Sequence, residues 1–467
     1  MHEVDDKKLT WLHLGAGAFH RAHQAWYLNQ LHLKGDTRWT LALANIRNSQ
    51  TQETLQHLHA QKGSYTLELI SPAGERDYQT ISAVSKIVLW DAGLRSLIQE
   101  GASPDTRIIS FTVTEGGYFL DDDGFLDTQH PSVTADLSGQ SDPVTLYGAL
   151  VRILRQRLNS DAGPVTLLSC DNLRHNGDST LAGLTAFVRE LGDSVLLEWI
   201  SNNVSAPNSM VDRITPKFDA QIFSRLAAQG IDGDRVPLSC EWFGQWVVQD
   251  CFIGGRPALD EVGVEFTNDV TPYEEAKIRV LNASHSGVAW AGALMGKTYI
   301  DESLHPQVVQ WIRDYVMNDV KMALHPTDID LSTYCDTTLN RFGNRWVRDT
   351  TQRVSSDSIA KLHQYILPVI RQVYAKGSTP DATLILPALW MRFMQRRHDD
   401  ALLFTYEDRA LNEVDFNAIF NAEDPLLAFT ENKKIWGGLA GHAELYQDMV
   451  RALACVDRAL EKMGAPR

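Results

Sequence analysis

The sequence predicts an α/β N-terminal domain followed by a mostly α-helical C-terminal domain. Three observations predict it. Short apolar runs alternate with helical periodicity through the first 175 residues. A glycine turn joins the first of those runs to the first helix. After about residue 275, helical stretches of 16 or more residues replace the strand signals.

Taken in order, Leu9 to Leu14 reads as a buried strand that ends at Gly15-Ala16-Gly17. A helical pattern runs from Arg21 to Leu33 and stops at Lys34-Gly35-Asp36, and Trp39 to Ile46 reads as a second strand. This order opens a right-handed βαβ unit. Further strands are expected at Tyr65–Ile70, Ile81–Trp90, Arg107–Thr114 and Pro164–Cys170, with helices at Thr145–Leu158 and Leu181–Glu190. Residues 120–143, rich in Asp, Ser, Gly and Pro, form an excursion from that core. Helices are expected at Tyr273–Met295, Pro306–Leu324, Ile359–Ala375, Ala382–Arg397 and Glu444–Lys462. The domains are therefore placed at 1–272 and 273–467.

Composition narrows the function. The 467 residues carry 43 Lys and Arg against 59 Asp and Glu, a formal charge of −16, which argues against nucleic acid or an anionic membrane as partner. The five cysteines form no CxxC pair and fit reduced thiols in a cytoplasm. Met1 to Thr10 is polar and no 18-residue apolar run follows, so neither a secretory signal nor a membrane span is expected. Oligomeric state is not legible, and a monomer is compatible with the sequence.

In Gly15-Ala16-Gly17-Ala18-Phe19-His20 the glycines let backbone approach a pyrophosphate at a helix start, but His20 replaces the third glycine of GxGxxG. The second strand ends Asn45-Ile46-Arg47 without the usual ribose-binding acid, which leaves NAD and NADP open from the residues alone. Arg47 suits a 2′-phosphate or the adenine face. His20 and His23 share a helix at metal-ligand spacing, yet no third ligand is evident, so no metal is expected and both rings should hydrogen-bond locally.

Tyr273 to Val288 is the more informative stretch. On an α-helical wheel Lys277, His285 and Asn282 lie at roughly 0°, 80° and 140°, with Leu281 and Val288 among them. A lysine in a buried sector loses its charge more easily and can accept a proton from an alcohol. An asparagine beside it can donate to a developing alkoxide. Tyr273-x-x-x-Lys277 also fits the YxxxK pair of short-chain dehydrogenases, against which chain length and glycine spacing both count.

GAGAFHRAHQ at 15–24, TVTEGGY at 112–118, CDNLRHNG at 170–177, PNSMVDRITP at 207–216 and Lys277-x4-Asn282-x2-His285 together carry a family resemblance. The chain resembles the polyol-specific long-chain dehydrogenases, the family of mannitol 2-dehydrogenase and of mannonate and altronate oxidoreductases. The resemblance implies a metal-independent oxidoreductase with a Rossmann-type NAD-binding domain and a helical substrate domain. It implies Lys277 as general base, with Asn172 and Asn282 as the oxyanion-stabilising pair. Asn176 is an alternative to Asn172. His285, Asp212, Arg353 and Lys361 would bind substrate. Gly15, Gly17, Ala18, Phe19, Arg47, Thr114, Glu115, Gly116 and Asn172 would contact cofactor.

NAD rests on the same resemblance, as does D-arabinitol with D-xylulose as the small-molecule substrate pair. The acidic stretch that favours NAD in the mannitol enzyme corresponds to Leu67-Glu68-Leu69-Ile70-Ser71, where only Glu68 is acidic. D-mannitol oxidation and mannonate or tagaturonate reduction are the alternatives within the family. A nucleotide-binding sensor with a dead site is the alternative outside it.

Overall fold

A computed structural model of the chain describes residues 8–47, 51–121, 124–324, 329–408 and 410–465. The first seven residues of the polar N-terminal stretch lie outside these. The chain divides into two compact units, one of Met1–Ile70 and Arg76–Thr271, the other of Ser71–Glu75 and Pro272–Arg467. The boundary expected after 272 does not foresee the short segment Ser71–Glu75, because a turn sequence carries no record of its long-range packing.

The N-terminal unit is built on a six-stranded parallel sheet. Its strands in chain order are Leu9–Leu14, Trp39–Ala44, Val84–Val88, Thr106–Phe111, Val165–Ser169 and Val204–Ser205. Numbered within this sheet alone, they lie side by side as 3-2-1-4-5-6, the dinucleotide-binding order.

Both sheet faces are buried, which is why the strands read as continuous apolar runs. Trp11, Leu41, Leu43, Ile108 and Leu168 point into one core with helices Ala18–Ala22, Gln24–Leu33 and Thr51–Ala60. Leu12, Leu14, Ala42, Ile109, Phe111 and Leu167 point into the other, beside helices Arg95–Gly101, Leu146–Ser160 and Asn176–Glu190. The excursion at 120–143 contains a helix, Pro131–Ser138. It is anchored by Asp136, whose carboxylate accepts the backbone N–H groups of Val144 and Thr145.

Two small sheets were not expected. Tyr65–Ile70 has the predicted span but leaves the parallel sheet; it pairs in parallel with Leu238–Glu241 and antiparallel with Arg76–Ile81. Gln245–Gln249 pairs antiparallel with Ser209–Asp212 and in parallel with Glu265–Thr267. Arg76–Ile81 is largely polar and half-buried, so it gives no apolar alternation to read.

The C-terminal unit is helical. Ala283–Leu294 is buried along almost its whole length and packs against Thr351–Ser355 and Asp381–His398, the latter lying against Leu445–Lys462. Gly287 and Gly292 permit that packing: a Cβ there would meet Leu386 Cδ2 at 2.5 Å and Ser303 Oγ at 2.0 Å.

Three expected helices each contain a π-helical segment, at Lys277–Asn282, Tyr315–Val320 and Leu362–Ile366. Such i→i+5 turns are rare and cluster at functional sites. The first touches both others, and the Tyr315 hydroxyl donates to the Arg279 carbonyl at 2.8 Å. No helix among the described residues is long and apolar enough to cross a membrane.

Candidate active site

In the N-terminal unit the glycine turn follows the first strand directly. Gly15 has φ +103°, and a Cβ there would lie 2.8 Å from the Thr112 carbonyl oxygen, so both conformation and space require glycine. A Cβ at Gly17 would meet nothing within 4 Å, which leaves that face of the turn open to a ligand. The turn is braced from the second strand, since Asn45 Oδ1 accepts the Ala16 N–H at 3.3 Å. Ala18 and Phe19 open the helix Ala18–Ala22.

The histidines of this region also make long-range contacts. The His20 ring stacks on His13 at a centroid distance of 3.4 Å, and His23 Nε2 bonds the Gln245 carbonyl at 3.0 Å. Third-glycine packing is thus replaced by a flat ring stacked on a flat ring. Burial lowers the His13 pKa to about 3, a backbone bond to Gly15 opposing it weakly, and burial takes His20 well below its ordinary value. Among the described residues no group of three or more His, Cys, Asp or Glu side chains is placed to hold a metal.

Arg47 is exposed and its Nε donates to the Val144 carbonyl at 2.6 Å. Glu68, the one acid of the stretch 67–71, is engaged within the protein. Its carboxylate is buried in the small sheet, where it accepts from Arg225 Nε and Nη2 at 2.8 Å each, from Ser239 Oγ at 2.5 Å and from Tyr78 Oη at 3.0 Å. That residue is structural, and its strand is not a strand of the cofactor sheet.

Thr114, Glu115 and Gly116 are exposed beyond the fourth strand of the parallel sheet. Thr114 takes φ 63°, ψ 165°, a conformation nearly confined to glycine. Asp171 holds it there. Its buried carboxylate accepts the N–H groups of Thr114 at 2.7 Å and Val113 at 3.1 Å and the Tyr118 hydroxyl at 3.0 Å. Sequence reasoning quoted CDNLRHNG but passed over this aspartate for its neighbour.

Asn172 is exposed at the end of the fifth strand of that sheet. Asn176 is buried and spent: Nδ2 donates to Asp171 O and Ser209 O at 3.0 and 2.8 Å, and Oδ1 accepts the Ser209 N–H at 2.9 Å. Of the two asparagines, Asn172 is the exposed one. Asp212 is buried and ends the strand Ser209–Asp212.

In the C-terminal unit Lys277 and Asn282 bound the first π segment. The wheel angles above assumed α geometry; in an i→i+5 turn residues five apart return toward one face, so the 140° separation does not hold. Lys277 is buried at 7% exposure. Asn282 Nδ2 is buried and donates to no protein acceptor, a state that calls for a partner.

His285 stacks on Phe342 at 4.4 Å and turns Nε2 toward Asp349 Oδ2 at 3.4 Å. Burial lowers the His285 pKa, outweighing the carboxylate's opposite pull, while Arg353 and Lys361 lower it further. Asp349 in turn accepts from Arg353 Nε at 2.6 Å and Nη2 at 2.5 Å. Burial would raise the Asp349 carboxyl, but His285 and Arg353 prevail and hold it below the usual carboxylate range. Lys361 Nζ donates to the Val354 carbonyl at 2.8 Å. His285 and Arg353 are thus gathered on Asp349, with Lys361 near enough to His285 to act on its charge. Sequence reasoning missed Asp349, although its position four before Arg353 was the available signal.

The parallel-sheet order and the open glycine turn define a dinucleotide-binding class of protein. Comparison with known proteins carries this to a family. The mannitol dehydrogenase Rossmann domain matches residues 10–261, and the mannitol dehydrogenase C-terminal domain matches residues 269–457. The chain belongs to the mannitol dehydrogenase family of polyol oxidoreductases.

It is 46% identical to a D-arabinitol 4-dehydrogenase of Klebsiella pneumoniae over 453 residues, 97% of this chain and 99% of the relative. It is 47% identical to one of Ralstonia nicotianae over 440 residues, 93% and 94% of the two chains. Among solved structures, Pseudomonas fluorescens mannitol 2-dehydrogenase in ternary complex with NAD and D-mannitol superposes with a TM-score of 0.85 at 32% identity, covering 98% of this chain and 94% of that one.

Proposed function

We propose that this chain oxidises D-arabinitol to D-xylulose with NAD. The observation that carries the reading is the 46–47% identity, over nearly the full length of both chains, to two D-arabinitol 4-dehydrogenases. NAD enters from the mannitol 2-dehydrogenase complex. The residues of this chain fit that cofactor, because Gly17 has open space where a side chain would intrude and Gly15 makes the sharp turn ahead of it. Gly15, Gly17, Ala18 and Phe19 would hold the pyrophosphate and Arg47 the adenosine end. Thr114, Glu115, Gly116 and Asn172 would hold the nicotinamide end. When bound, the nicotinamide supplies the hydride acceptor.

The remaining chemistry falls to side chains. Lys277, a buried side chain, takes the proton of the reacting hydroxyl as a neutral amine. Asn282 and Asn172 donate amide hydrogens to the oxygen as it gains negative charge, and the unpartnered Asn282 Nδ2 is suited to that. A neutral His285 whose Nε2 carries its proton toward Asp349 leaves Nδ1 to accept from a substrate hydroxyl. Asp212, Arg353 and Lys361 bind the other hydroxyls. Lys277 serves as the base without a Lewis acid, so the reaction is metal-independent. All five cysteines are free, which suits a cytoplasmic setting.

The test is NADH formation with a panel of pentitols, hexitols and hexuronates. D-arabinitol should show the highest kcat/KM, above L-arabinitol, xylitol and ribitol, with D-mannitol the best hexitol. A misplaced hydroxyl leaves a buried partner unpaired. Faster turnover of a hexuronate than of D-xylulose with NADH would replace this reading with sugar-acid reduction.

A further inference from the structure

We propose that Asp349 is a positioning residue that sets the substrate site for uncharged polyols over sugar acids, by occupying one edge of the Arg353 guanidinium and facing the His285 ring. This rests on reading Arg353 and His285 as substrate-binding groups.

The argument starts from what an unpaired arginine would prefer. A guanidinium edge grips a carboxylate through two parallel N–H bonds, which makes a free arginine a sugar-acid receptor. In this chain the Nε–Nη2 edge is already taken by Asp349, at 2.6 and 2.5 Å. Three N–H groups remain, one on Nη2 and two on Nη1, and they can donate to hydroxyls, but the charge that would draw a carboxylate to them is offset by Asp349. A carboxylate arriving there would also meet the negative charge of Asp349.

The pair is built into the fold. The Asp349 carbonyl accepts the Ile300 N–H at 3.0 Å, and Thr350 bridges to Tyr299. The Thr350 hydroxyl accepts the Arg353 N–H at 3.2 Å, starting the helix Thr351–Ser355 that carries the arginine. On its other side Asp349 meets His285, whose ring is fixed by stacking on Phe342. One carboxylate thus orients two substrate groups. The other nearby cation, Lys361, donates to the Val354 carbonyl.

The test compares D-arabinitol with D-arabinonate, the sugar acid of the same carbon skeleton. In the unmodified enzyme D-arabinonate should inhibit D-arabinitol oxidation only at concentrations at least about tenfold above the D-arabinitol KM. In Asp349→Asn the freed guanidinium should tighten D-arabinonate inhibition about tenfold or more while the D-arabinitol KM rises more than kcat falls. An ion pair that merely steadied the helix would leave the acid-to-polyol ratio where it was.

Inhibition by D-arabinonate as tight as the D-arabinitol KM in the unmodified enzyme overturns the proposal, whether or not the variant folds. An unchanged ratio in Asp349→Asn also overturns it. Arg353→Ala separates the two levels. If it leaves the D-arabinitol KM unchanged, the substrate reading of Arg353 fails and the proposal falls with it. If it raises KM while Asp349→Asn leaves the ratio unmoved, only the role of Asp349 is refuted.

Discussion

Asp171→Asn probes how the loop proposed to hold the nicotinamide end is kept in place. The native carboxylate accepts three hydrogen bonds, two of them from the backbone of Val113 and Thr114. Asparagine keeps one oxygen and turns an NH2 donor toward a group that is itself a donor, so one bond is lost and a buried N–H is left unpaired. Hydrogen bonds to a charged group contribute about 1.5–3 kcal/mol each, so a loss of about 2–3 kcal/mol is expected.

The functional part follows from Thr114, whose φ of 63° with ψ of 165° persists only because its N–H is gripped. Strain of that kind is about 1–3 kcal/mol, and releasing it lowers the loop fraction in the binding geometry by roughly five- to 150-fold. The apparent NADH dissociation constant, measured by fluorescence titration, should therefore rise about tenfold or more, and the thermal midpoint should drop by several degrees. An NADH dissociation constant within about twofold of the parent, with an unaltered thermal midpoint, would refute the link between Asp171 and the loop.

Three further outcomes are expected. Lys277→Ala should cut kcat by at least about a hundredfold while NADH binding stays nearly intact; near-normal turnover, or loss confined to Tyr273→Phe, would revive the YxxxK reading. Prolonged EDTA treatment should leave activity unchanged, and stoichiometric zinc lost together with activity would overturn the lysine mechanism. Acid should destabilise the fold through His13, whose folded pKa of about 3 lies below its ordinary 6.5. Between those values the unfolded chain binds the extra proton, so stability is lost as pH falls from about 6.5, by roughly 2 kcal/mol for this group down to pH 5. Denaturant titrations at pH 7 and pH 5 measure this, and His13→Gln should flatten the dependence.

What was legible in the sequence were features written locally. Leu9–Leu14 and Tyr65–Ile70 have the spans read from their apolar runs, and the glycine turn lies where the pattern put it. What Tyr65–Ile70 pairs with was not legible, because Leu67 pairs with Leu238, far along the chain, and a buried run looks the same in either sheet. The surroundings of Glu68 were not legible for that reason. Its strand was assigned to the cofactor sheet, whereas two arginines, a serine and a tyrosine enclose its carboxylate in another. Asn172 and Asn176 were separable only by burial and bonding, which the order of residues does not record.

The π segment at Lys277–Asn282 shows the same limit within a single helix. Apolar periodicity finds a helix by averaging over many residues, and a turn widened by one residue barely disturbs that average. Yet the widened turn governs the chemistry assigned to this stretch. In α geometry a lysine and an asparagine five apart face away from each other, and burying both would require separate polar surroundings. In an i→i+5 turn they come toward one face, so a single polar pocket can serve both, with His285 three residues on in the following α segment. The irregular turn needs support, and it has some: the Arg279 carbonyl within it accepts the Tyr315 hydroxyl, and Arg279 itself is held by Glu275 and Gln372. Those contacts hold the widened turn in place, which the proposed roles of Lys277 and Asn282 require.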